Sequence, residues 1–173
     1  MEVRDYNGAG EWSLEGIRKR YRDHARAIGL SEDVELVTLE TSDGEVRWVY
    51  PVMYTVIERV EKADMACIEL AVEFIERGPK QDFGRILHSN AARALRRAPL
   101  TAGQKDRLRT TILGMLARGW VPHEFRQYAK LLRRIGLGKE WAKVRGELDV
   151  SNRYVMRWVR YFDACAAAEP SGA

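Results

Sequence analysis

The sequence has little of what usually fixes a function on first reading. Two cysteines, Cys67 and Cys165, stand far apart in 173 residues, which excludes a disulfide framework and paired zinc-ligand spacing and leaves two buried free thiols as the expectation. Five prolines and fourteen glycines are too few for a low-complexity or collagenous chain. No apolar run approaches the roughly 18 residues of a membrane span. The N-terminal MEVRDYNGAGEW lacks a basic segment followed by an apolar one, so a cytoplasmic protein without a membrane association is expected.

Catalytic motifs are equally scarce. His123-Glu124 begins like a zinc-protease motif, but Gln127 stands where the second histidine would complete a metal face. Gly136-Leu137-Gly138 begins like a dinucleotide fingerprint, yet Trp141 replaces the third glycine and the stretch follows a helix, so it reads as a helix stop. His88 and Ser89 are adjacent, and neighbours on a helix point apart. Glu69, Glu73 and Glu76 step along one helix as an acidic stripe facing water, with no His or ligand partner nearby in sequence. No enzyme, cofactor or metal site is therefore expected.

What is present is charge of both signs, separated along the chain. Residues 1–78 hold ten Lys and Arg against seventeen Asp and Glu, a net −7, whereas residues 79–163 hold nineteen against seven, a net +12. A basic half of this kind suits a polyanionic partner. The switch falls at Gly78-Pro79, which divides the chain into an acidic region 1–78, a basic all-helical region 79–168 and a flexible tail 169–173; the first ten residues are expected to fray as well.

Apolar spacing predicts mostly helix. Ser13 caps a helix with Leu14, Ile17, Tyr21, Ala25 and Ile28 on one face, and Asp64 caps another with Cys67, Ile68, Ala71, Val72, Phe74 and Ile75 inward. Thr101 and Gln104 form a capping box. Phe83 to Arg97 turns Phe83, Ile86 and Leu87 inward, and a helix after Pro122 buries Phe125, Ala129 and Leu132 while turning Arg126, Lys130, Arg133 and Arg134 outward. β-branched residues in Val34–Leu39 and Val46–Tyr50 flank Asp43-Gly44, predicting one small hairpin near residues 34–50. A homodimer through that hairpin is left open. The expected fold is mainly α, either a compact multi-helix bundle or a short α-solenoid.

Two local resemblances follow from particular residues. Leu95-Arg96-Arg97 and Leu132-Arg133-Arg134 recur at an offset of 37 residues, and over residues 83–137 the chain resembles HEAT-like helical repeats. In Trp141–Phe162, Val144, Leu148, Val150, Val155 and Trp158 occupy the apolar positions around a tight turn at Leu148–Ser151. The run Val150 to Trp158 looks like the recognition helix of bacterial helix-turn-helix regulators, with Ser151 as its N-cap. Such regulators often carry a small residue where Arg145 stands and a glycine where Asp149 stands; Arg145 can snorkel and Asp149 can adopt a left-handed turn.

The helix-turn-helix resemblance implies a DNA-binding, regulatory protein. Ser151 would meet a phosphate at the helix start, and Asn152, Arg153, Met156, Arg157 and Arg160 would face the duplex. Asn and Arg suit the edges of adenine and guanine, while Arg160, Arg126, Lys130, Arg133 and Arg134 would hold phosphates. The HEAT-like resemblance implies instead a non-catalytic adaptor whose basic face binds an acidic protein or RNA.

Overall fold

The computed structural model describes residues 1–78 and 83–168; Pro79, in the expected inter-region break, and the expected tail 169–173 lie outside them. The protein is mainly α, with eight helices and a three-stranded sheet among the described residues. No helix is long and apolar enough to cross a membrane, and no group of three or more His, Cys, Asp or Glu side chains is gathered as for a metal, both among the described residues.

The chain forms two compact bodies, Met1–Leu100 and Thr101–Ala173. The charge switch at residue 78 thus lies inside the first body. The reason is packing: α4 (Gly84–Leu95) buries Leu87, Ala91, Ala92 and Leu95 and packs on α2 (Met53–Glu61) and α3 (Met65–Arg77). Ile86, expected inward on α4, is instead exposed.

The first body is built around α3, whose Ala66, Cys67, Ile68, Leu70, Ala71, Val72, Phe74 and Ile75 are all buried. Asp64 caps it, accepting from the Cys67 N–H at 3.0 Å. Burial pushes the Cys67 thiol well above its ordinary pKa, so this thiol is a packing group. α1 (Leu14–Ala27) lies against α3; Ser13 caps it at 3.1 Å from Gly16 N–H, and Ile17, Tyr21 and Ala25 face inward, while Ile28 at its end is exposed.

The sheet departs from expectation in two ways. β2 is Glu40–Ser42 and pairs antiparallel with β3, Val46–Val49, around Asp43-Gly44-Glu45. Residues 34–39 form no strand: side chains take their carbonyls, with Arg18 Nε donating to Leu36 O at 2.9 Å and Thr55 Oγ1 to Val37 O at 2.6 Å. The first residues do not fray but form β1, Glu2–Asp5, parallel to β3 with Glu2 opposite Val46.

The second body comprises α5 (Ala102–Ala117), α6 (Phe125–Ile135), α7 (Glu140–Arg145) and α8 (Arg153–Ala168). Thr101 and Gln104 make the expected reciprocal box, at 3.2 and 3.0 Å. Its core joins aliphatic side chains such as Leu108, Ile112 and Leu132 to a cluster of aromatic rings. Phe125 of α6 lies 5.2 Å from the Trp158 ring of α8, and Trp141 of α7 meets Phe162 of α8 edge-on at 5.3 Å. Edge-to-face pairs of this kind add to the area they bury.

Candidate nucleic-acid interface

The period of 3.6 residues decides what α8 presents. Val155, Trp158, Val159 and Phe162 form its buried stripe, and Arg153, Arg157 and Arg160 fall on the opposite, exposed one. α6 is built the same way, burying Phe125, Tyr128, Ala129, Leu131 and Leu132 while Arg126, Arg133 and Arg134 are exposed and Lys130 half-buried.

The two basic rows meet. Arg126, Lys130 and Arg133 of α6 and Arg157 and Arg160 of α8 line a single groove of about 460 Å³, completed by Trp158 and Tyr161. No carboxylate lines it, and none of these five cations forms an ion pair among the described residues. Trp158 is 8% exposed, and the Arg157 guanidinium lies 5.3 Å from its ring centre, a cation–π distance. The groove continues along Arg133 and Tyr161 into a second cavity of about 510 Å³ reaching Ala164, Cys165 and Ala168. Cys165 is half-buried, where a buried thiol was expected.

Arg109 of α5 fixes the end of α6. Its Nε and Nη2 donate to the carbonyls of Gly136 and Ile135, each at 2.8 Å, matching a cation to the negative end of the helix. Gly136 turns the chain there with φ 81°, a conformation that suits glycine.

The connection between α7 and α8 corrects several expectations. It runs over residues 146–152, longer than the tight turn read at Leu148–Ser151. Ser151 is not the N-cap. Its hydroxyl and its N–H both donate to Asp149 Oδ1, at 2.6 and 2.9 Å, which holds the carboxyl below its ordinary range and draws the hydroxyl away from the helix start. Asn152 caps α8 instead, its Oδ1 accepting from Tyr154 N–H at 3.0 Å and Val155 N–H at 3.4 Å. The carboxamide oxygen expected to read a base is therefore committed to the backbone.

Other positions divide similarly. Leu148, Val155 and Trp158 are buried as expected, Val144 is half-buried, and Val150 is 58% exposed. Met156 is half-buried, so it is not a fully outward contact. Asp149 does not take a positive φ; the Ser151 hydrogen bonds shape the turn. Arg145 pairs with Asp163 at 3.2 Å, and Trp141 Nε1 donates to the same carboxylate at 3.2 Å, tying α7 to α8 on the side away from the groove. The exposed Arg153 lies over the Tyr154 ring at 4.8 Å and donates to its hydroxyl at 2.8 Å.

Tyr161 and Trp158 as groove residues were not foreseen. Their signal was spacing: both lie within four positions of Arg157, toward the α6 side of the α8 stripe. No family model matches the chain, and neither a curated protein nor a solved structure matches it.

Proposed function

We propose that the second body binds duplex DNA in a regulatory role, with the exposed crest of α8 toward the base edges and the α6 row on the phosphates. One observation carries the reading: five cations from two helices converge on one groove without a carboxylate among them. A protein surface normally mixes signs, and unpaired cations this close repel one another, an arrangement that a polyanion relieves. The base-reading role narrows to Arg153 and Arg157, because Asn152 caps the helix and Met156 is half-buried. Arg160, Arg126, Lys130, Arg133 and Arg134 keep the phosphate role.

Anisotropy titration of a labelled duplex at two salt concentrations tests this. If about five phosphates are neutralised, log affinity falls with log salt at a slope near −4.5. Arg153→Ala with Arg157→Ala abolishes any preference among duplex sequences. A flat titration at low salt, or affinity only for an acidic protein or single-stranded RNA, defeats the proposal.

A further inference from the structure

Tyr161 differs from the other residues lining the α6–α8 groove. Its hydroxyl oxygen is withdrawn from solvent and has no hydrogen-bond partner. Native folds seldom bury such a group without a use for it, and removing a phenol O–H from water with nothing in exchange costs stability. The group is a donor, and its residue lines a groove whose charged side chains are all cations.

We infer that the groove is a phosphate pocket in which Tyr161 Oη donates a hydrogen bond to a phosphate oxygen, between Arg126, Lys130 and Arg133 on one wall and Arg157 and Arg160 on the other. An anion entering it meets no carboxylate. The volume of about 460 Å³ is roughly fifteen times that of a water molecule in the liquid, room for more than one phosphate group. Among the described residues no ion pair tethers the five cations, so their long side chains are free to reorganise around an anion that reaches the hydroxyl. Arginine and lysine supply the charge; the neutral phenol supplies direction, fixing where a phosphate oxygen sits relative to the Trp158 floor. This deepens the DNA reading and rests on it for the source of the phosphate, the duplex backbone; a free oligophosphate offers the same chemistry.

Tyr161→Phe in the full chain is the test, with inorganic tripolyphosphate and a labelled duplex as the two probes. The expected result is an unchanged or raised melting temperature, since the lost hydroxyl has no partner in the fold. Duplex affinity falls roughly tenfold, the worth of one hydrogen bond to a charged group. The salt slope stays as in the parent, because a neutral donor releases no counterion, whereas Arg133→Ala makes it less negative by about one.

A Tyr161→Phe chain that binds duplex as tightly as the parent overturns the inference and leaves the DNA reading standing. A melting temperature lowered by more than about 3 °C also overturns it, since the hydroxyl would then stabilise the fold itself. If the parent ignores duplex but tripolyphosphate raises its melting temperature, and does so less for Tyr161→Phe, the pocket stands and the DNA reading falls. Binding of neither probe defeats both.

Discussion

Around α1–α3 in the first body, basic side chains are matched to carboxylates. Arg20, His24 and Arg77 converge on Glu73, with His24 Nε2 at 3.3 Å and Arg77 at 3.4 Å. Arg59 holds Asp64 at 2.8 Å while the Tyr21 hydroxyl donates to the same carboxylate; Arg26 holds Glu32 and Arg47 holds Glu40, each at 2.6 Å. Along α6 and α8, the same residue type is left without carboxylates. The paired clusters of the first body and the α6 and α8 rows of the second thus use arginine in opposite ways, there as a structural partner and here as free charge. Composition alone cannot separate those uses, because both count as basic residues.

The largest expected effect tests the paired side of this contrast. Burial opposes a charge on Glu73, whose residue is 9% exposed, yet the neighbouring His24 and Arg20 side chains hold its pKa at about 2. Glu73→Ala leaves Arg20 buried beside His24 without its carboxylate, and should destabilise the first body by about 3 kcal/mol, as broken buried pairs do. Urea unfolding followed by hydrogen exchange resolves the two bodies; a loss under about 1 kcal/mol would make the cluster equivalent to a surface pair.

The same carboxylate predicts a pH dependence. Its folded pKa of about 2 lies below the ordinary value of 4.5, so the folded state binds fewer protons than the unfolded one. Its contribution is complete above pH 4.5 and is lost as pH falls toward 2. Acid titration of Glu73→Gln should show a shallower loss of first-body stability over that window than the parent. Identical profiles would remove Glu73 from the account.

The free side of the contrast is tested by Arg157→Ala with Arg160→Ala. Duplex affinity should fall about a hundredfold at low salt and the salt slope become less negative by about one, the Arg160 phosphate contact, with the urea midpoint of the second body unchanged. A large drop in that midpoint would erase the distinction between the bodies. Asn152→Ala should cost about 1 kcal/mol as a lost N-cap, and Ser151→Ala less; the reverse order would restore Ser151 as the cap. Arg133→Ala with Arg134→Ala should change stability by less than about 0.5 kcal/mol, as exposed positions usually do.

Features set by neighbours in sequence were legible before the fold was. Ser13, Asp64 and the Thr101–Gln104 box each satisfy amides within three residues, and the two basic rows follow from helical spacing. Glu73 was not legible as a buried charge: its partners Arg20 and His24 come from α1, and the acidic stripe has the same spacing as a solvated face. β1 was missed because a parallel strand needs a distant partner, here β3. Ser151 and Asn152 are both good caps, and only the position of Asp149 decides between them. Each basic row could be read alone; that they face one groove, with an unmatched phenol between them, is a tertiary fact.

Arg109 gives the groove a dependence on a residue that does not line it. Helices ending in Arg133 and Arg134 commonly fold such side chains back onto their own last carbonyls. At the end of α6 the carbonyls of Ile135 and Gly136 are already occupied from α5, and Arg133 and Arg134 are exposed. On the proposed DNA reading, a substitution at Arg109, on a helix that does not line the groove, would therefore weaken binding without removing a single contact to the duplex.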